Sequence, residues 1–185
     1  MKTADIINGF CELVFRDRKG NKIYPNVFVE KWEADLLEVT RSRLTYEYEV
    51  KVSRCDFHKD SKKQDQNGNS KFDNILAGGR TNYFYYIVPD GLVKPEEVPE
   101  FAGLIYAING TRRADGYTEP IIYFHVAKAA QKVSSTKADN KFIDKLNLSA
   151  YYRFHKLRRI NYLQTSNSIK EKYESRGNNQ AIKGR

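Results

Sequence analysis

Residues 44–52 read LTYEYEVKV, and their polar and apolar positions alternate without a break. A period of two predicts a strand with Glu47, Glu49 and Lys51 on one face and Tyr48, Val50 and Val52 on the other. Upstream, Ile6, Ile7, Phe10, Leu13 and Val14 recur at intervals of three and four, which predicts a helix. Thr3 supplies a cap, Arg16, Arg18 and Lys19 suit its C-terminal end, and Gly20 and Asn21 stop it. NVFVEKWEADLLEV, residues 26–39, is rich in β-branched and aromatic residues and reads as one bent strand or two short ones. Thr40 to Arg43 form a turn, so residues 44–52 are the second arm of a hairpin.

SRCDFHKD, residues 53–60, predicts a short helix with Ser53 as its cap. Residues 61–80 carry few large apolar side chains and two glycine clusters, which predicts a mobile loop that adds nothing to a core. YFYYIV, residues 83–88, is a continuous apolar run ended by Pro89, Asp90 and Gly91, the pattern of a strand buried on both faces. KPEEVPE allows one helical turn, begun by Pro95 and stopped by Pro99. AGLIYAI and PIIYFHV predict two more strands, joined across Asn109, Gly110 and a charged loop. From Asp139 to about Gln164 the period is helical, with Ile143, Leu146, Ala150, Phe154, Leu157 and Ile160 or Asn161 in one stripe. The polar residues from Thr165 onward are expected to fray. This order predicts an α/β fold with a central mixed sheet flanked by helices. The expected division is a core over residues 1–130 and a basic helical extension over 131–185.

Composition narrows the class. The chain has 185 residues, 40% hydrophobic and 30% charged, which suits one globular domain. No apolar run approaches the roughly 20 residues of a membrane span. MKTADIINGFCEL breaks its apolar residues with Asp5, Asn8 and Glu12, unlike a secretory signal, so a cytoplasmic protein without a membrane partner is expected. Cys11 and Cys55 lack the spacing of a zinc site or a disulfide framework and read as small buried residues. The formal charge is +9, but residues 126–185 alone hold 14 Lys/Arg against 4 Asp/Glu. A near-neutral body with a basic end points to a polyanionic partner.

The candidate chemistry lies in the hairpin. Asp35 ends VEKWEAD, and Glu49-Val50-Lys51 follows on what should be the adjacent strand. Two carboxylates and a backbone carbonyl are enough protein coordination for Mg²⁺, which keeps several waters. A lysine beside them is placed to orient or deprotonate a water for in-line attack on a phosphodiester. Spacing alone equally fits a solvated strand face with cross-strand ion pairs.

Asp35 with Glu49-Val50-Lys51 resembles the PD-(D/E)xK motif of the restriction-endonuclease-like nuclease superfamily, with Ala34 where the motif has proline. EVKVSRCDF followed by NYFYYIVPDGLVKPEEVPEFAGLIY is similar to the MmcB-like DNA repair branch of those nucleases and to related phage and bacterial nuclease-like proteins. The likeness covers roughly residues 5–108. It implies a restriction-endonuclease-like fold and a Mg²⁺-dependent deoxyribonuclease, with Mn²⁺ able to substitute. By position, Asp35 and Glu49 would be ligands, Val50 would give its carbonyl, and Lys51 would hold the water. Glu12, on the first helix, stands where some such nucleases carry a further ligand. Glu47 receives no role from the likeness.

Outside it, Arg153, Lys156, Arg158 and Arg159 are the candidate phosphate contacts, to DNA with RNA left open, although the same helix could dock through Tyr152, Phe154 and Leu157. His58, His125 and His155 are isolated and form no triad. The alternatives are a nucleic-acid-binding protein that has the fold without turnover, or an assembly protein whose basic end meets an acidic partner. Oligomeric state is open, a homodimer included.

Overall fold

The structure, a computed structural model, describes residues 1–29, 32–60, 68, 70–114 and 116–182, with side chains of the last helix as far as Thr165. The elements run α1 (Thr3–Asp17), β1 (Lys22–Val29), β2 (Trp32–Val39), β3 (Thr45–Val50), α2 (Arg54–Asp60), α3 (Lys71–Leu76) and β4 (Tyr83–Pro89). After a 3-10 turn at Pro95–Glu97 come β5 (Gly103–Ala114), β6 (Tyr117–Lys128) and α4 (Asn140–Ile182). The chain divides into two compact units, residues 1–143 and 144–185.

The first unit holds one six-stranded sheet in the order β1-β2-β3-β4-β5-β6. β1, β2 and β3 form an antiparallel meander, β3-β4 and β4-β5 are parallel, and β5-β6 is an antiparallel hairpin. The sheet is therefore mixed. Parallel pairing of β3 with β4 requires a crossover, and α2 and α3 provide it. α1 lays Ile6, Phe10 and Val14 onto Leu36, Tyr48, Val50 and Ile87, which form one core face. The opposite face packs Phe84, Tyr86, Val88 and Leu104 against Phe57 of α2 and Ile75 of α3. Strand alternation thus feeds two cores, which makes the fold a three-layer α/β arrangement.

Several expectations are corrected by packing. Within residues 61–80, read as a mobile loop, Lys71–Leu76 form α3, capped by Ser70, whose Oγ accepts the Asp73 N–H at 3.0 Å. Ile75 is fully buried and Phe72 packs edge-on to Phe84, so few apolar residues suffice when the partner face is aromatic. Residues 61–67 and 69 of that segment lie outside the described residues. Asn109, Gly110 and the charged residues after them are strand, not loop, because β5 and β6 pair as far as Ala114 with Tyr117. The cap of α1 is Lys2, whose N–H donates to Asp5 Oδ2 at 2.8 Å, and Thr3 is already helical.

Residues 131–143 belong with the first unit, so the boundary lies at 143 rather than 130. The Gln131 N–H donates to the Phe101 carbonyl and the Val133 N–H to that of Asn82. Asn82 Nδ2 in turn donates to the carbonyls of Ser134 and Thr136, both at 2.9 Å. The backbone of α4 stays helical to Ile182, past the point where fraying was expected. Its proposed apolar stripe is buried only near its start: Leu146 is 2% exposed, whereas Phe154 and Leu157 are 61% and 54% exposed. Cys55 is exposed rather than buried, whereas Cys11 is half-buried. No helix among the described residues is long and apolar enough to cross a membrane.

Candidate functional site

The alternation of β3 sends Tyr48 and Val50 toward α1 and sends Glu47, Glu49 and Lys51 toward α2 and α3. Sequence alone allowed that charged face to be solvated. It is not: Glu47 is 0%, Glu49 4% and Lys51 8% exposed. Ions removed from water each cost several kcal/mol unless they are closely paired, and here every one is paired.

Glu49 lies between two ammonium groups. Its Oε1 is 2.5 Å from Lys51 Nζ and its Oε2 is 2.8 Å from Lys71 Nζ. Lys51 also reaches Asp60 Oδ1 at 3.1 Å, and Asp60 Oδ2 accepts the Tyr86 hydroxyl at 2.9 Å. Lys71 reaches Glu47 Oε1 at 3.1 Å. Glu47 is held in turn by Trp32 Nε1, which donates to Oε1 at 2.9 Å, and by Thr81 Oγ1, which donates to Oε2 at 2.5 Å. Among the described residues the result is an ionic network of three acids and two lysines drawn from β3 and the residue after it, α2 and α3, with hydrogen-bond donors on β2, β4 and the segment before β4.

Asp35 joins from β2. The register pairs Leu36 with Tyr48, so Asp35 lies across from Glu49. Its Oδ2 accepts the Val50 N–H at 2.8 Å, tying β2 to the end of β3. Burial first, and then the Glu49 charge, push the Asp35 carboxyl above the usual aspartate range against the opposing pulls of the Val50 N–H, Lys51 and Lys71. For Glu49, burial also acts upward, but Lys71 and Lys51 outweigh it and hold the carboxyl at about 2. Burial opposes the charge on Lys71, and Glu47, Glu49 and Asp60 reverse that and hold its ammonium well above the usual lysine range. Burial and then Asp60 keep the Tyr86 hydroxyl protonated.

Asp35, Glu49 and Lys51 are thus brought together as their spacing suggested. Glu12 is not with them: it is exposed on α1, which packs on the other face of the sheet. It lines an open groove of about 700 Å³ with Asn109 and Gly110. Among the described residues no three His, Cys, Asp or Glu side chains converge as a metal-binding set. Asp35, Glu49 and the Val50 carbonyl are nevertheless hard oxygen donors of the kind that suits Mg²⁺, and a cation would offset both the burial and the Glu49 repulsion that raise Asp35. Both oxygens of Glu49 already carry an ammonium, so a cation would have to take the place of one.

Sequence reading missed Lys71, Asp60, Tyr86, Thr81 and Trp32, and left Glu47 without a purpose. A signal for Lys71 was present: Ser70 and Asp73 stand at cap spacing around it, and Phe72 and Ile75 follow. On α4, Lys156, Arg158 and Arg159 are exposed and Arg153 is half-exposed. At 100° per residue, Arg153, Lys156 and Arg159 fall within about 120° of one another, and Arg158 projects off that arc. His58, His125 and His155 are all exposed.

No protein-family model matches the chain, and no curated protein matches it. Among solved structures it is similar to the SPO1766 protein of unknown function from Silicibacter pomeroyi, with a TM-score of 0.59 at 17% identity, over 85% of this chain and 92% of that one. At that identity the likeness concerns the fold alone.

Proposed function

We propose that this chain is a divalent-metal-dependent nuclease that hydrolyses DNA phosphodiester bonds, of the restriction-endonuclease-like kind. The observation that carries the reading is the convergence of Asp35 on β2 with Glu49 on β3 and Lys51 directly after it: the register sets Asp35 across from Glu49, its Oδ2 accepts the Val50 N–H at 2.8 Å, and Lys51 Nζ is 2.5 Å from Glu49 Oε1. Asp35, Glu49 and the Val50 carbonyl would hold Mg²⁺ or Mn²⁺, which when bound supplies charge to polarise the phosphate and lowers the pKa of a water. Lys51 Nζ lies between Glu49 and Asp60, where it can orient the water and balance charge developing on the phosphate. Water adds at phosphorus, one P–O bond breaks, and the two ends leave as a phosphate and a hydroxyl. Arg153, Lys156 and Arg159 would hold the DNA backbone.

A buried ionic network favours this reading over a purely structural one, because apolar residues of similar volume commonly stabilise a core as well or better. The test is to incubate the protein with labelled linear, forked, single-stranded and four-way DNA and Mg²⁺ or Mn²⁺, beside Asp35→Asn and Lys51→Ala. Cleavage is expected to fall at least 100-fold in each variant, in line with the loss of a catalytic or charge-stabilising group. Parent-like cutting by both variants would refute it.

A second reading rests on Lys71, which occupies the second oxygen of Glu49. On it, the network is an ionic brace and the protein binds nucleic acid without turnover. Salt-sensitive DNA binding with no cleavage under any of these conditions distinguishes it.

A further inference from the structure

Lys71 stands apart from the pattern that located the other charged groups. It arrives from α3, 22 residues after Glu49 in sequence, and is 5% exposed. Its Nζ bridges two carboxylates, Glu49 at 2.8 Å and Glu47 at 3.1 Å, and lies 5.0 Å from the centroid of the Phe84 ring. Lys51 is fixed differently: it follows β3 directly and its own N–H donates to the Ile87 carbonyl at 3.0 Å, so its position is set by the sheet. Lys71 is set by the first turn of a six-residue helix. Of the two ammonium groups on Glu49, the one on the short helix is the one that can leave without breaking a strand.

Glu47 is oriented for such an exchange. Trp32 and Thr81 each donate to it, one to each oxygen, so it remains hydrogen-bonded on both when Lys71 withdraws. An ammonium between two carboxylates has the charge sign of a divalent cation but half its charge, and here it occupies Glu49 Oε2.

We propose that Lys71 is an internal counter-ion of the acidic site, occupying the Glu49 oxygen that a divalent cation takes, so that cation binding displaces it and its presence weakens that binding. This rests on the reading of Asp35 and Glu49 as cation ligands. Lys71 is on this account a positioning residue: it keeps Glu47 and Glu49 compensated until the cation arrives.

The experiment is a calorimetric titration of Mn²⁺ into the parent, Lys71→Met, Lys71→Arg and Asp35→Asn, without DNA. Lys71→Met is expected to bind Mn²⁺ at least tenfold more tightly than the parent, Lys71→Arg to return toward the parent value, and Asp35→Asn to bind more weakly. Unchanged or weaker binding in Lys71→Met overturns the proposal, and if Asp35→Asn still loses affinity the cation site itself stands. Absence of Mn²⁺ binding in both the parent and Lys71→Met overturns the proposal and the site together. Should Lys71→Met fail to fold, with Glu47 left as an extra buried charge, Glu47→Gln/Lys71→Met carries the comparison against Glu47→Gln. The double variant must then bind more tightly, or the proposal fails.

Discussion

At the scale of single residues, the two candidate ligands respond to pH in opposite senses. Glu49 is held at about 2 against an ordinary value of 4.5, so its ionised form favours the folded state. Its contribution is present in full above pH 4.5 and is lost as the pH falls toward 2. Asp35 is raised above 3.8, so the folded state prefers its protonated form and loses stability as the pH rises through the interval above that value. Urea unfolding of the parent across this range should give falling stability on the acid side, and Asp35→Asn should remove the opposing slope. An acid limb with no change below pH 4.5 would contradict the lysine pairing of Glu49. Glu38 is a useful comparison. It is also buried, at 1%, yet Arg18, Asn21 and Tyr48 donate to it at 2.6, 2.5 and 2.6 Å and tie the end of α1 to β2 and β3. That cluster has a sufficient structural purpose: it closes the turn after α1.

At the scale of elements, the parallel strands depend on close approach. Tyr85 is paired with Gly103 across β4 and β5, and its ring lies where a side chain at 103 would be. A Cβ there would also come within 2.8 Å of the Ala130 backbone N, which cannot swing away. Gly103→Ala should therefore cost about 1–3 kcal/mol, the range for overpacking. At Gly110 the three atoms nearest an added Cβ all belong to Tyr123, a half-exposed ring whose hydroxyl donates to the Thr111 carbonyl at 3.0 Å and can exchange that bond for water as the ring shifts, so Gly110→Ala should stay within about 1 kcal/mol of the parent. Denaturant midpoints of the two variants make the comparison, and equal losses would mean that the Tyr85 ring can also give way. α3 makes a related point. Six residues that bury one isoleucine and deliver one lysine complete both the second core face and the acidic site.

At the scale of the whole molecule, charge is divided as the chain is. The basic excess lies in the last third, and α4 presents Arg153, Lys156 and Arg159 along one arc. If those three meet phosphates of duplex DNA, replacing all three with glutamine should reduce the log–log salt slope of binding by nearly 3, at about 0.9 per contact. Arg158→Gln, off the arc, should leave the slope unchanged. Filter binding over a salt series reads both, and an equal effect of Arg158→Gln would show that the charge acts as a diffuse field rather than through a defined face.

What sequence determined by itself was local and periodic. Alternation in residues 44–52 assigned Glu47, Glu49 and Lys51 to one face, and the three- and four-residue spacing of Ile6, Phe10 and Val14 assigned α1 its core side. The continuous apolar run of β4 announced layers on both sides of the sheet. Such signals survive because each is written in neighbouring residues. Whether a charged face meets water depends on what covers it, and that was decided when α2 and α3 brought Asp60 and Lys71 over β3. The polar composition of residues 61–80 concealed α3, since one buried isoleucine carries no period. On α4, periodicity allowed a docked stripe, and the structure buries Leu146 but leaves Phe154, Leu157 and Ile160 exposed, because a stripe states only which side could be buried and not whether a partner lies beside it.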